Sequence, residues 1–153
     1  MSEPRASRPR FLGYGIATEP EGMLPWSWAE ERLVASRNYW IATASTERGP
    51  HTTPVWGLWR VEGLVFSFGE QSRKARDVAV DPRVVIHLES GDEVVIVESD
   101  VERFDATEEV VAAYSHKYMP FEAEVGTWFV ARPRRAFAWT EKAYPKDATR
   151  FDF

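Results

Sequence analysis

The strongest constraint on this chain is its succession of short strand-like segments joined by tight turns. Tyr39–Ser45 and His51–Val61 flank a turn at Glu47-Arg48-Gly49, and Leu64–Phe68 returns after a two-residue turn at Glu62-Gly63. Arg83–Glu89 and Glu93–Phe104 form another hairpin around Gly91-Asp92. Two last strands are expected at Thr127–Ala131 and Arg135–Thr140, before a tail ending Arg150-Phe151-Asp152-Phe153. Strands that return so soon form an antiparallel meander, and with six or seven of them a closed barrel is the economical way to remove exposed edges. The fold expected is therefore mainly β with small helices. Val84–Ile86 and Val94–Val97 are apolar at consecutive positions, so both faces of these strands need cover. One face fills the barrel and the other meets a helix or a second subunit.

Three helices interrupt the strands. Ser27 and Glu30 have the spacing of a capping box, which opens a helix running to about Ser36. Ser72 to Val80 reads as a short helix stopped by Asp81-Pro82. Asp105, with Glu108 three residues on, starts a third that ends at Lys117. A Gly- and Pro-rich stretch from Pro20 to Pro25 separates an arm and loop (residues 1–25) from a single domain (residues 26–153). The arm begins with polar residues and shows no apolar core of a secretory signal, so it reads as loose.

Composition narrows the function. With no cysteine, disulfides, iron–sulfur clusters and thiolate nucleophiles are excluded, which is compatible with a cytoplasmic setting. A net charge of −5 disfavours a general nucleic-acid binder. No apolar run approaches the roughly 20 residues of a membrane span. Basic residues nevertheless cluster at Arg73, Lys74 and Arg76, and again at Arg132, Arg134 and Arg135, which suits a small anionic ligand. Seven Trp, nine Phe and five Tyr are more aromatics than usual; core and dimer packing account for most of them, and some are available to a flat ligand.

The segment richest in chemistry is Phe68-Gly69-Glu70-Gln71-Ser72-Arg73-Lys74-Ala75-Arg76. A strand ends, a loop follows, and a helix begins at a hydroxyl residue with cations in its first turn. Free N–H groups and the positive dipole end of such a helix attract a phosphate. Cations there are unfavourable unless an anion compensates them. The same features also describe an ordinary Ser-capped surface helix. His51, His87 and His116 are scattered without metal-ligand spacing, and no nucleophile–base pattern occurs. His116 reads as solvated and His87 as a packing or interface residue.

Taken together, several segments resemble one family. Trp40-Ile41-Ala42-Thr43 and Gly49-Pro50-His51-Thr52-Thr53-Pro54-Val55-Trp56 are similar to the first two strands of the pyridoxamine-phosphate-oxidase-like split-barrel proteins. Phe68 through Lys74 resembles their phosphate loop, and Asp81-Pro82-Arg83-Val84 their step into the next strand. The hairpin from Leu88 to Glu98 is similar too. The likeness is greatest to the flavin/deazaflavin oxidoreductase branch. It implies a split β-barrel, a homodimer with cofactor sites between subunits, and FMN or coenzyme F-420 as cofactor. It also implies that Ser72 and Lys74 hold the phosphate, that Thr53, Pro54, Val55 and Trp56 lie along the ring, and that Phe68, Arg73 and Arg76 border the site. Asp77 stands where the family commonly has Asn, which would set an acid beside the phosphate. The expected activity is hydride transfer from reduced coenzyme F-420 (or FMN) to a small electron-poor substrate. Arg73, Arg76 and the Arg132–Arg135 group are the candidates for the glutamate tail of coenzyme F-420. A non-catalytic carrier or ligand sensor on the same barrel is the alternative.

Overall fold

The structure, a computed structural model, describes residues 3–153. Along the chain lie β1 (Arg5–Ser7), α1 (Trp26–Ala35), β2 (Asn38–Ser45), β3 (Gly49–Arg60), β4 (Gly63–Phe66) and α2 (Arg73–Val80). Then follow β5 (Arg83–His87), β6 (Glu93–Phe104), α3 (Glu108–Lys117), β7 (Trp128–Thr140) and β8 (Thr149–Asp152). Every strand pairing is antiparallel, and the order β7-β4-β3-β2-β5-β6 closes on itself because β6 also pairs with β7. The result is a six-stranded barrel, with β8 and then β1 added beside the second half of β7.

Alternation along the strands fills the barrel. Tyr39, Ile41, Val55, Trp59, Leu64, Phe66, Val84, Ile86, Val95 and Val97 are buried in one core. Helix α1 closes it with Trp26, Ala29 and Leu33, spaced to share a helix face. Outside the barrel, α3 covers β4 and the start of β7, where Val110, Val111, Tyr114 and Tyr118 meet Val65, Trp128 and Val130. Strand β4 is buried along its whole length for this reason. Its first residue must be glycine: Gly63 has φ +124°, and a Cβ there would lie 2.2 Å from the Ala131 carbonyl oxygen.

Several details depart from the sequence expectation. Helix α1 starts at Trp26 after Pro25, with no side-chain cap, so Ser27 and Glu30 do not form a capping box. The start is set by Trp26, whose ring meets the edges of Phe151 (5.2 Å) and Phe153 (4.9 Å); tertiary packing overrides the local signal. Helix α3 is capped by Thr107, which accepts the Val110 N–H, rather than by Asp105. The β3–β4 turn is Val61-Glu62. The two strands expected around Pro133 are one continuous β7, whose register shifts opposite Glu98/Ser99 so that Arg134 is the extra residue. A bulge is where a strand tolerates proline.

The terminal segments also differ. The tail is strand β8, and the arm expected to be loose pairs with it at Arg5–Ser7. Arg8 secures that arm, donating to the carbonyls of Glu19 (2.7 Å), Glu21 (2.5 Å), Lys146 (2.6 Å) and Ala148 (3.1 Å). No helix among the described residues is long and apolar enough to cross a membrane.

Candidate functional site

Strand β3 is longer than either neighbour allows it to pair. Its full length from Gly49 to Trp56 pairs with β2, but β4 takes only Gly57–Arg60. Among the described residues, no strand covers the other edge of Gly49–Trp56. At Gly57 the N–H and C=O face the β2 side, just past the end of β2. There Tyr118 Oη accepts from the Gly57 N–H (2.8 Å), and Lys117 Nζ donates to the Gly57 carbonyl (2.8 Å). Backbone groups alternate along a strand, so Thr52, Pro54 and Trp56 turn theirs to the free edge. Proline at 54 fits this, because its missing N–H falls where no ladder bond exists.

The expected phosphate segment begins beside the same edge. Ser72 caps α2, accepting the Ala75 N–H at 3.2 Å. The N–H groups of Arg73 and Lys74 are the first two of the helix and have no intrahelical acceptor. Arg73 reaches across to the carbonyls of Arg48 (2.7 Å), Gly49 (3.2 Å) and Pro50 (3.3 Å), tying the helix start to the β2–β3 hairpin. Among the described residues, neither Lys74 nor Arg76 has an ion pair or side-chain hydrogen bond.

The remaining candidates fall on two sides of the barrel wall. Thr53 and Val55 point inward, while Pro54 and Trp56 are exposed outside. Thr53 Oγ1 is buried with no hydrogen-bond partner among the described residues. Trp56 is stacked on Tyr118 (4.5 Å, 8° between planes) with Phe121 edge-on at 5.6 Å. Phe68 stacks on Phe129 at 4.3 Å and packs onto the core, so it supports the loop from within. Thus the structure groups Ser72, Arg73 and Lys74 with the hairpin end of β3, and sets Trp56 at the other end of the free edge.

Two expectations are corrected here. Asp77 is not an acid beside the helix start: it is fully buried and points at the barrel. Its Oδ1 accepts from Arg48 (2.8 Å) and its Oδ2 from Thr43 Oγ1 (2.8 Å), with Arg73 Nε at 3.8 Å. The hydrogen bond from Arg48 holds the carboxyl below its ordinary range, helped by Thr43 and by the charges of Arg48 and Arg73, against the effect of burial. The second correction concerns the other arginine group. Arg132 pairs with Glu102, Arg134 with Asp100 (2.9 Å), and Arg135 with Glu98 (3.5 Å) and Asp152 (3.1 Å). Those charges are satisfied across the β6–β7 ladder and, at Asp152, across the β7–β8 pairing. His87 stacks on Trp40 (6.2 Å, 2°) and His116 is exposed.

A polar cluster beside Trp56 was not visible in the sequence. Lys117 Nζ lies 3.1 Å from Tyr39 Oη, which itself donates to the Leu33 carbonyl, and Tyr118 Oη lies 2.7 Å from the Arg37 carbonyl. Burial pushes the Lys117 ammonium down to about 8, and the neighbouring charge of Arg37 adds to this. Burial also raises the hydroxyls of Tyr39, Tyr114 and Tyr118. Lys117 ends a helix and would ordinarily be read as a solvated residue near the negative end of its dipole.

A six-stranded antiparallel barrel with a split between β3 and its neighbour, and a helix start at the split, defines a split barrel. The family described as pyridoxamine 5'-phosphate oxidase matches residues 29–144, and the chain belongs to it. Similar solved structures share the fold while differing in ligand. An F420 reductase matches with TM-score 0.59 and 22% identity, over 77% of this chain and 98% of that one. A FAD-binding protein from Mesorhizobium loti gives 0.55 and 15%, over 85% and 96%. HutZ, a haem storage protein from Vibrio cholerae, gives 0.58 and 16%, over 74% and 90%. No curated protein matches the sequence.

Proposed function

We propose that this protein is an oxidoreductase that binds a flavin or deazaflavin along the free edge of β3, with its phosphate at the start of α2. The observation that carries the reading is the continuity of that edge. It runs from Pro50, which Arg73 contacts, past Thr52 and Pro54 to Trp56. At about 3.3 Å per residue, Thr52 to Trp56 lie roughly 7–20 Å from Pro50, the span of a ribityl chain and a ring. The edge presents the N–H groups of Thr52 and Trp56 and the carbonyls of Thr52, Pro54 and Trp56. Such an alternating row of donors and acceptors suits the pyrimidine end of an isoalloxazine.

In this reading Ser72 Oγ–H, the two free N–H groups and Lys74 hold the phosphate. The reduced cofactor supplies hydride chemistry, and the protein supplies position and exclusion of water. The flat stack of Trp56 on Tyr118 closes one end of the edge. Since Arg73 and Arg132–Arg135 are already engaged, Arg76 is the cation left to favour the longer, carboxylate-bearing tail of coenzyme F-420 over FMN. The second wall of the site comes from a second copy of the chain.

Absorbance titrations with FMN and with coenzyme F-420, followed by stopped-flow mixing of the loaded, reduced protein with electron-poor enones, test the proposal. Saturable binding with oxidation on mixing supports it. Binding without oxidation assigns a carrier role instead, and absence of binding by both cofactors overturns the assignment.

A further inference from the structure

At the far end of the β6–β7 pair lies a hollow of about 450 Å³, lined by Tyr14, Gly91, Asp92, Trp139, Glu141 and Tyr144. It is remote from α2. Asp100, which pairs with Arg83 just beyond that helix, is seven residues along β6 from Glu93, or roughly 23 Å. Three aromatic rings form its walls. Tyr144 stands in the middle, 5.9 Å from Trp139 at 56° and 6.4 Å from Tyr14 at 78°. Rings inclined in this way are not stacked face to face, and all three residues border the hollow. Phe11 backs Trp139 edge-on at 6.0 Å.

Two carboxylates complete the rim. Asp92 and Glu141 are exposed, and their carboxylates have no ion pair or hydrogen bond among the described residues. Their segments are joined, since the Glu141 N–H donates to the Asp92 carbonyl at 2.8 Å. The turn that carries Tyr144 is held too. The Tyr144 N–H donates to the Thr140 carbonyl (2.9 Å), and buried Asp147 accepts from both the Thr140 N–H and hydroxyl (2.8 and 2.6 Å). Lys142, on the same turn, is exposed.

We propose that this hollow binds a methylated ammonium group on a small molecule. Aromatic faces attract cations through their quadrupoles, and a methylated ammonium sheds water at less cost than a bare ammonium does. Tyr14, Trp139 and Tyr144 would supply that aromatic surface at the hollow, and the two unpaired carboxylates would supply a compensating charge without a directional hydrogen bond. The site is independent of the cofactor reading.

Titrating the full chain with tetramethylammonium chloride and with ammonium chloride at matched ionic strength, by isothermal calorimetry, tests this. Tetramethylammonium should bind about tenfold more tightly than ammonium. Tyr14→Leu, in an exposed loop, and the pair Asp92→Asn with Glu141→Gln should each weaken tetramethylammonium about fivefold or more with unchanged melting curves. Equal affinity for the two cations, or undiminished affinity in both variants, would overturn the site. Choline saturating at or below the tetramethylammonium range supports it further; a choline response absent where tetramethylammonium binds would rule out a substituted ammonium ligand and overturn it.

Discussion

At the scale of single residues, a buried carboxylate and a half-buried ammonium shape how this barrel responds to pH. Asp77 joins α2 to the barrel through Arg48 and Thr43, and its carboxyl titrates below the ordinary 3.8. A lowered carboxylate stabilises the fold above its unfolded pKa and loses that contribution as pH falls through the folded value. Asp77→Asn keeps the shape but leaves Arg48 without its partner. We expect its melting temperature to lie below that of the wild type at pH 7, with the gap closing as pH falls below about 4. A gap that stays constant down to pH 3 would show that charge is not the cause. Lys117 behaves oppositely. Its ammonium is lowered from 10.5 to about 8, so folding costs least once it is neutral. From about pH 8 to 10 the folded state holds fewer protons there than the unfolded one, and stability rises with pH. Lys117→Met removes this slope, so wild type should gain on the variant across that window and not below it.

At the scale of elements, α2 is where sequence and structure meet most closely. Ser72 caps it as its hydroxyl and position imply, because capping is a local interaction between residues three apart. The burial of Asp77 was not legible, since its partners Thr43 and Arg48 are 34 and 29 residues away. The same distinction runs through the fold. Strands β2 to β6 were readable from alternation and short turns. Strands β1 and β8 were not, because Arg5–Ser7 and Arg150–Asp152 acquire their ladder only by meeting across the whole chain. The free edge of β3 was hidden likewise: Thr53–Trp56 carry the segment, but the missing neighbour is a fact about β4. If α2 holds the phosphate, Lys74→Ala should weaken cofactor binding by about 1.5–3 kcal/mol, the range for a hydrogen bond to a charged group. The melting temperature should change little, as the Lys74 side chain makes no ion pair or hydrogen bond among the described residues. Unchanged affinity in an FMN or coenzyme F-420 titration would remove α2 from the site.

At the scale of the molecule, the barrel leaves an apolar outer row only half-covered by the described residues. Register places Trp40 opposite His87, and His87 opposite Ile96, in a row across β2, β5 and β6, with Val85 beside it. Each is only half-buried, whereas the inward residues between them, Ile41, Ile86 and Val97, are fully buried. Helix α3 covers β4 and β7 and leaves this row open. The consecutive apolar residues of Val84–Ile86 and Val94–Val97 thus have one face accounted for by the barrel; on the other, Phe11 packs on Phe137 and Trp139, the cross-strand partners of Ile96 and Val94, and the row at Trp40, Val85 and His87 stays half-buried. A second copy is the occupant we propose, because it would cover this row and furnish the other wall of the cofactor site. An obligate pairing of this kind buries on the order of 2,000 Å² or more. Sedimentation velocity at micromolar concentration should therefore give a dimer. A paired substitution, Val85→Asp with Ile96→Lys, should shift it to monomer and weaken cofactor binding with it. A monomeric wild type would refute the dimer, and a monomeric variant that binds cofactor as tightly as wild type would place the whole site within one subunit.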